Sequence, residues 1–194
     1  MSKRAGQAET AREAALQALH RVERDGAFLN LVLPPLLEPL PPRERALARE
    51  LATGTIRRLN TLDWSLKLFL KRPLEKLTIW IRNLLRLSAY QLLYLERIPD
   101  HAAVDEAVRL AHRYGHRGVA GLVNAVLRRL AARGGDLPWP DPHGRPVEHL
   151  ALRCSHPRWL VERWSRCFGP AEARLLCEAN NIPPPLALRP NRLR

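Results

Sequence analysis

Hydrophobic positions along residues 1–133 recur at every third or fourth residue, and no stretch of this region alternates as a strand does. The first helix is predicted to begin at Thr10, which forms a capping box with Glu13, and to end at Asp25 and Gly26. Its apolar face consists of Ala15, Leu16, Ala18, Leu19 and Val22. The opposite, polar face is predicted to hold Glu13, Gln17, Arg21 and Arg24.

Three further segments continue this pattern. Phe28–Leu40 is interrupted by prolines, which predicts a short helix and a turn. From Pro42 to about Leu70 the spacing predicts one helix, and close packing against a neighbouring helix would explain Gly54 in its interior. Its apolar stripe is formed by Leu47, Leu51, Thr55 and Leu59. Residues 77–95 are apolar around most of the helix circumference, which predicts the central, most buried helix.

Two more helices complete the first region. One is predicted from Pro99 and Asp100 to Tyr114, followed by Gly115. The last is predicted to end at Gly134. Its apolar face is formed by Val119, Leu122, Val123, Val126, Leu127 and Leu130. The region is therefore predicted to be an all-α bundle.

The chain is predicted to divide into three parts, a helical domain over 1–133, a linker over 134–149 and the start of a further domain over 150–194. The linker is rich in proline and glycine. In the third part, spacing predicts amphipathic helices near 157–168 and 170–180, followed by extended chain from Ile182. So short a piece, ending in an open strand, is predicted to be an incomplete α(+β) segment whose remainder is missing.

The charge balance points to a polyanionic partner. There are 32 basic and 19 acidic residues, a net charge of +13, and only four of the basic residues are lysines. A GC-rich coding bias accounts for arginine over lysine but not for the excess of positive charge. Arginine pairs bidentately with phosphate and stacks on bases, so nucleic acid is the favoured partner. A membrane surface fits less well, because no helix combines a basic face with exposed bulky aromatics.

The candidate RNA-binding residues lie in three basic clusters, at the N-terminus, at an arginine pair near residue 57 and on the last helix of the bundle. They are Lys3, Arg4, Arg12, Arg57, Arg58, His116, Arg117, Asn124, Arg128, Arg129 and Arg133. Two alternatives remain open: the arginines near residue 130 offset the helix dipole, and Asn124 joins two helices. Trp139 and Trp159 either stack on bases or anchor a linker or domain interface.

The sequence contains no catalytic motif. It lacks a glycine-rich cofactor loop, a phosphate-binding loop, a zinc-protease motif and a nucleophile elbow. Cys154, Cys167 and Cys177 form no CxxC pair and are interpreted as reduced, buried apolar thiols, and with His156 they match no zinc-ligand spacing. We therefore expect no catalytic, cofactor-binding or metal-binding residue in this segment. The longest apolar run is too short to cross a bilayer and the N-terminus has no signal-peptide core, so the expected location is cytoplasmic.

Residues 84–130, LLRLSAYQLLYLERIPDHAAVDEAVRLAHRYGHRGVAGLVNAVLRRL, resemble the NusB-type helical domain. Together with residues 11–28 and 45–66, they are similar to the form of that domain found in the RsmB (Sun/Fmu) family of ribosomal-RNA cytosine-C5-methyltransferases. Residues 155–191 are similar to the segment that joins this domain to the catalytic one. The strings IPDHAAVDEAV and SHPRWLVERW are the specific parts of the match.

The resemblance implies the RNA-binding N-terminal region of an S-adenosylmethionine-dependent enzyme that makes 5-methylcytosine in 16S ribosomal RNA. The catalytic cysteines and the cofactor loop of that family would lie beyond residue 194, and the three cysteines of this chain match none of them. The expected partners are ribosomal RNA and the protein's own methyltransferase domain. One rival is a stand-alone NusB-type transcription antitermination factor, which the extension after residue 155 disfavours. Another is a helical scaffold for protein partners.

Overall fold

The computed structural model describes residues 8–182 and 187–190. The chain divides into two compact units, Met1–Pro138 and Trp139–Arg194. The first unit contains α1 (Ala11–Asp25), α2 (Leu29–Leu37), α3 (Pro42–Arg57), α4 (Leu59–Lys67), α5 (Ile79–Tyr94), α6 (Asp100–Tyr114) and α7 (Arg117–Arg133), with a short 3-10 helix at Leu74–Lys76. The second contains α8 (Pro146–Arg153), α9 (Arg158–Phe168) and α10 (Pro170–Ala179). All regular structure within the described ranges is helical, and the predicted all-α class is confirmed.

Helix α5 lies at the centre of the first unit. It packs against α1, α3, α4, α6 and α7, and Leu84, Leu85, Leu87 and Ala89 on it are buried. The prediction of a central helix is therefore confirmed, because side chains on most of its circumference are removed from water. Across residues 8–182 and 187–190, no helix has the length and apolarity that a membrane span requires.

The packing of α3 on α5 explains the glycine in α3. A Cβ atom at Gly54 would overlap the ring of Tyr90 on α5. Glycine has no side chain, so the ring can lie against the α3 backbone, and the Tyr90 hydroxyl donates to Glu50 Oε1 at 2.6 Å. Close helix packing at Gly54 is confirmed.

The prediction of a single helix from Pro42 to Leu70 is wrong at Arg58, where the chain leaves the helical conformation. Arg58 has φ −100° and ψ 12°, outside the helical range, and separates α3 from α4. The kink rotates the buried face, so Leu62 and Leu66 are fully buried while Leu59, predicted on the apolar stripe, is 37% exposed. A periodic pattern with no proline does not reveal where tertiary contacts bend a helix.

The N-terminus of α1 departs from its predicted polar face. Thr10 Oγ1 accepts the Glu13 amide at 3.3 Å, as predicted, but the Glu13 carboxylate accepts the Glu9 amide at 3.0 Å. Glu13 and Gln17 are buried, so their predicted exposure is wrong. Tyr114 at the end of α6 covers them and donates its hydroxyl proton to Glu13 Oε1 at 2.6 Å. A carboxylate can remain buried here because its oxygens are paired.

A second polar network joins α1, α4 and α5. Arg86 donates to both carboxylate oxygens of Asp63, at 2.6 and 2.7 Å, and to Glu23 Oε2 at 3.0 Å. Arg82 pairs with Glu23 Oε1 at 2.6 Å. The Arg86 side chain is only 10% exposed. Hydrogen-bonded carboxylates on two neighbouring helices compensate the cost of burying this charge.

The second unit packs its helices around a small apolar core. Ala151, Cys154, Val161 and Cys177 form the core. Helices α9 and α10 lie where the spacing predicts them, whereas α8 begins at residue 146, within the stretch predicted as linker. A proline at the first helical position explains this start, because proline fixes a helical φ where no amide partner is needed.

The three cysteines of this unit differ in environment. Cys154 and Cys177 are buried, as predicted, but Cys167 on α9 is exposed and the prediction is wrong for it. Burial, with a smaller contribution from Cys154, raises the pKa of the Cys177 thiol to about 11. The predicted extended chain from Ile182 lies in part outside the described residues, and 187–190 carry neither helix nor strand.

Candidate nucleic-acid interface

Helix α7 presents a basic outer surface at its C-terminal end. Its inner face is buried through residues such as Val123, Leu127 and Leu130. Arg128, Arg129 and Arg133, which we call the α7 basic surface, are exposed on the other side. None of the three forms an ion pair with a carboxylate among the described residues, so their positive charge is not neutralised. The position near the C-terminus also favours cations through the helix dipole.

Neighbouring side chains hold two of these arginines. Arg128 Nε donates to Asn124 Oδ1 at 2.9 Å, one turn earlier on the same helix. The guanidinium carbon of Arg129 lies 5.4 Å from the centre of the Phe69 ring, just beyond the end of α4. Both contacts orient a guanidinium without removing its charge. Asn124 is thus placed to position Arg128.

His116 and Arg117 lie at the opposite end of α7. His116 is the N-cap residue, and both side chains are exposed. Sixteen residues separate Arg117 from Arg133, which corresponds to about 24 Å at 1.5 Å per residue. The structure therefore does not bring these two residues together with the α7 basic surface.

Arg57 and Arg58 lie at the kink between α3 and α4. The guanidinium carbon of Arg58 is 5.0 Å from the centre of the Tyr94 ring, at the end of α5, and Arg57 is exposed. Burial and the hydrogen bond to Glu50 raise the pKa of nearby Tyr90 well above its usual value, while Arg57 and Arg58 act in the opposite direction. Exposed Arg57 and half-buried Arg58 thus form a second basic site, apart from the α7 basic surface.

Arg12 is turned towards the bundle. Its Nε donates to Gln91 Oε1 on α5 at 2.7 Å, and the side chain is only partly exposed. The segment that precedes it is held close to α3, because the Ala11 amide donates to Glu44 Oε2 at 2.7 Å. The candidate residues Lys3 and Arg4 lie outside the described residues.

Comparison with known proteins assigns both parts of the chain. Residues 9–132 match the NusB family. The chain belongs to the NusB family. Residues 156–194 match the ferredoxin-like domain described as Methyltr_RsmF/B-like. The predicted resemblance is therefore confirmed for both parts.

Curated relatives carry both parts in the same order. The probable ribosomal RNA small subunit methyltransferase B of Bacillus subtilis (strain 168) is 41% identical over 185 residues, which are 94% of this chain and 41% of that protein. Ribosomal RNA small subunit methyltransferase B of Shigella flexneri is 35% identical over 181 residues, covering 93% of this chain and 40% of that protein. The chain thus spans about two fifths of the length of these relatives.

Solved structures of NusB proteins match a little under two thirds of the chain. NusB of T. maritima is 31% identical with a TM-score of 0.61, covering 64% of this chain and 90% of that one. A chain from the complex of antitermination factors NusB and NusE with dsRNA is 22% identical with a TM-score of 0.58, covering 63% of this chain and 93% of that one. The second likeness concerns the fold alone.

Two residues of the NusB domain that sequence reasoning missed are Phe69 and Trp64. Phe69 supports Arg129, and Trp64 is half-buried on the outer side of α4. Lys71 and Arg72 follow Phe69 within three residues and are exposed. The cationic string KLFLKR at 67–72 is the sequence feature that could have indicated this region, but only the fold shows that it reaches α7.

The two tryptophans considered for base stacking both lie in the second unit. Trp159 on α9 is 62% exposed. Trp139 is half-buried, and the guanidinium carbon of Arg153 lies 4.8 Å from its ring centre. The Trp139 contact lies within the second unit, since Arg153 belongs to α8.

Proposed function

We propose that this chain is the RNA-binding region of an S-adenosylmethionine-dependent ribosomal-RNA cytosine-C5-methyltransferase, and that it positions small-subunit ribosomal RNA for a catalytic domain outside these 194 residues. The observation that carries the proposal is the order of the two matches, a NusB domain followed by a match to the RsmF/B-like ferredoxin-like domain. Relatives named as ribosomal RNA small subunit methyltransferases align over more than nine tenths of the chain. S-adenosylmethionine would be bound by the catalytic domain.

The α7 basic surface supports the RNA-binding part of this proposal. Its three exposed arginines pair with no carboxylate of residues 8–182, so they attract a polyanion, and release of the polyanion's counterions makes the affinity depend strongly on salt. A NusB structure of the same fold was solved together with dsRNA. Arg57 and Arg117 are proposed as further phosphate contacts, because both are exposed and cationic.

A stand-alone antitermination factor is the second candidate. The likeness to T. maritima NusB, which extends over 90% of that protein, favours it for residues 9–132. It does not account for residues 156–194, whose match is to a methyltransferase-associated domain. We therefore favour the methyltransferase region.

RNA binding is tested by fluorescence anisotropy with a small-subunit ribosomal RNA fragment at several salt concentrations. Replacing Arg128, Arg129 and Arg133 by alanine is expected to weaken binding and to reduce the slope of log K against log salt by about 2 to 3, since each phosphate contact contributes about 0.7 to 0.9. The matched control replaces Arg24, Arg109 and Arg174, which already pair with Asp25, Glu106 and Glu178. Equal effects of the two triple variants, or no binding at low salt, would refute the proposed surface.

The enzymatic part is tested in the source organism. Deleting the gene is expected to remove one 5-methylcytosine from small-subunit ribosomal RNA, as read by bisulfite sequencing, and the intact gene is expected to restore it. An unchanged methylation pattern would exclude the methyltransferase role. The anisotropy result does not depend on this outcome. RNA binding and the methyltransferase role can therefore be refuted independently of each other.

A further inference from the structure

Helix α2 is apolar on all sides, although only one of its sides is buried. Every residue of Leu29–Leu37 except Asn30 is apolar, and the sequence carries no charged residue over 26–37. Leu33 and Leu37 are buried on the side where α2 packs against α1 and α3. A helix that is apolar around its whole circumference is typical of a position buried on every side, so the sequence of α2 predicts cover for its other side as well.

The solvent-facing side of α2 is formed by four apolar residues. Phe28 is the N-cap residue, and Leu31, Val32 and Pro35 follow it at the i+3, i+4 and i+7 positions, which share one face of a helix. Phe28 is 73% exposed and Leu31 66% exposed, while Pro35 is exposed and Val32 partly exposed. We call these four residues the outer face of α2. Single exposed apolar side chains are ordinary, but a contiguous apolar face marks an interaction surface.

The chemistry of the outer face of α2 favours a protein occupant over RNA. Cations attract a polyanion, and residues 26–37 contribute none. The α7 basic surface lies on a different helix, so the two surfaces differ both in position and in chemistry. Protein surfaces that are permanently covered resemble a protein core cut in half, and a face without charge matches that description. The occupant is therefore an apolar protein surface.

The size of the outer face of α2 favours a tethered partner. Its exposed side chains amount to on the order of 400 Å², whereas a stable interface between separate proteins buries about 800 Å² on each partner. A domain of the same polypeptide docks without losing its translational freedom, so a smaller area is sufficient. The matched residues make up only 41% of the Bacillus subtilis relative, so proteins of this kind contain further chain that can supply such a domain.

We propose that the outer face of α2 docks against an apolar surface of the catalytic domain of the same polypeptide, outside these 194 residues. This inference rests on the proposed function, which supplies the catalytic domain, and it adds the surface through which the NusB domain is held to that domain. Because α2 and α7 belong to the same compact unit, docking through α2 also fixes where the α7 basic surface lies relative to the catalytic domain.

The test uses the purified full-length protein of the source gene, in which Phe28 is replaced by the photoreactive aromatic residue benzoylphenylalanine. Illumination is expected to attach this side chain to a residue beyond position 194 of the same molecule, as identified by mass spectrometry of the peptides. A mixture of isotope-labelled and unlabelled protein distinguishes a cross-link within one molecule from a cross-link between two. A cross-link to a second copy, a cross-link to residues 1–194 alone, or no cross-link would overturn the inference.

Two matched variants locate the contact. Leu31→Glu places a charge within the outer face of α2, and Asn30→Glu places the same charge on the same helix outside that face. In the full-length protein Leu31→Glu is expected to lower the yield of the cross-link from position 28 at least fivefold, because burying a charge without a partner is costly. Asn30→Glu is expected to leave the yield unchanged, and equal yields in the two variants would refute the outer face of α2 as the contact.

The outcomes separate this inference from the proposed function. If deletion of the gene removes the 5-methylcytosine but position 28 forms no cross-link beyond residue 194, docking through α2 is refuted and the methyltransferase role stands. If the cross-link forms but deletion leaves the methylation pattern unchanged, the methyltransferase role is refuted and α2 docks on a domain of another activity. Both glutamate variants change exposed positions, so circular dichroism of the 194-residue chain is expected to show the parent's unfolding midpoint for each. If Leu31→Glu does not fold, the cross-link from position 28 in the parent decides the matter.

Discussion

Gly54→Ala is expected to destabilise the first unit, although alanine is the better helix former. A methyl group at this position would overlap the Tyr90 ring, so the ring has to shift. Overpacking of this kind costs about 1–3 kcal/mol. Weakening the hydrogen bond from Tyr90 to exposed Glu50 costs about 1 kcal/mol more. The higher helix propensity of alanine relative to glycine offsets about 1 kcal/mol of this loss. The net loss is therefore about 1–3 kcal/mol.

A double-mutant cycle distinguishes this explanation from a general cost of mutating α3. In a Tyr90→Leu background the overlap is gone, and Gly54→Ala is expected to stabilise the protein by up to about 1 kcal/mol. The assay is urea unfolding followed by circular dichroism for the parent, both single variants and the double variant. If Gly54→Ala is neutral or stabilising in the parent, or if its sign is the same in both backgrounds, the packing explanation is refuted.

Three other predictions concern groups buried by tertiary contacts. Arg86→Ala removes both hydrogen bonds that Arg86 donates to Asp63 and one of the two arginines that pair with Glu23, and is expected to cost about 3 kcal/mol in urea unfolding, whereas an unchanged midpoint would show that the network is dispensable. Burial and a hydrogen bond to the Glu13 carboxylate raise the pKa of the Tyr114 hydroxyl to about 12. Because the hydroxyl loses its proton at higher pH in the folded state than in the unfolded chain, the free energy of unfolding is expected to fall between pH 10 and 12. Tyr114→Phe should flatten that fall, and equal pH dependence in both proteins would contradict the assignment. Cys167 is expected to react rapidly with a thiol reagent at pH 8 and Cys177 only on unfolding, so fast labelling of all three cysteines would disprove the described packing of the second unit.

The positions of the helices were largely predictable from local patterns. Thr10 and Gly26 limit α1 as expected, because capping and left-handed backbone are properties of a few adjacent residues. The prediction failed at Arg58, where α3 and α4 separate without a proline. It also failed at Glu13 and Gln17, polar residues that α6 buries. Glu13 and Gln17 are covered by Tyr114, a residue distant from both in sequence.

The residue types of the candidate interface could be predicted from the sequence, but the contacts between them could not. The excess of arginine and the helix holding Arg128, Arg129 and Arg133 were visible in the sequence. That Arg117 lies a helix length from Arg133 also follows from the helical rise. That Arg129 lies over Phe69 does not, because sixty residues separate them and only the packing of α4 near α7 brings them together.

By itself, the sequence determined the all-α class, most helix boundaries, the positive charge and the resemblance to the NusB and RsmB families, since these depend on spacing, composition and short motifs. The tertiary structure alone decided which polar groups are buried and which cations acquire aromatic partners. It showed that Glu13 pairs with Tyr114, that Gly54 gives room to Tyr90, and that α4 lies between two arginine–aromatic pairs. The physical reason is that burial, pairing and stacking are properties of two surfaces in contact, and a periodic pattern describes only one of them.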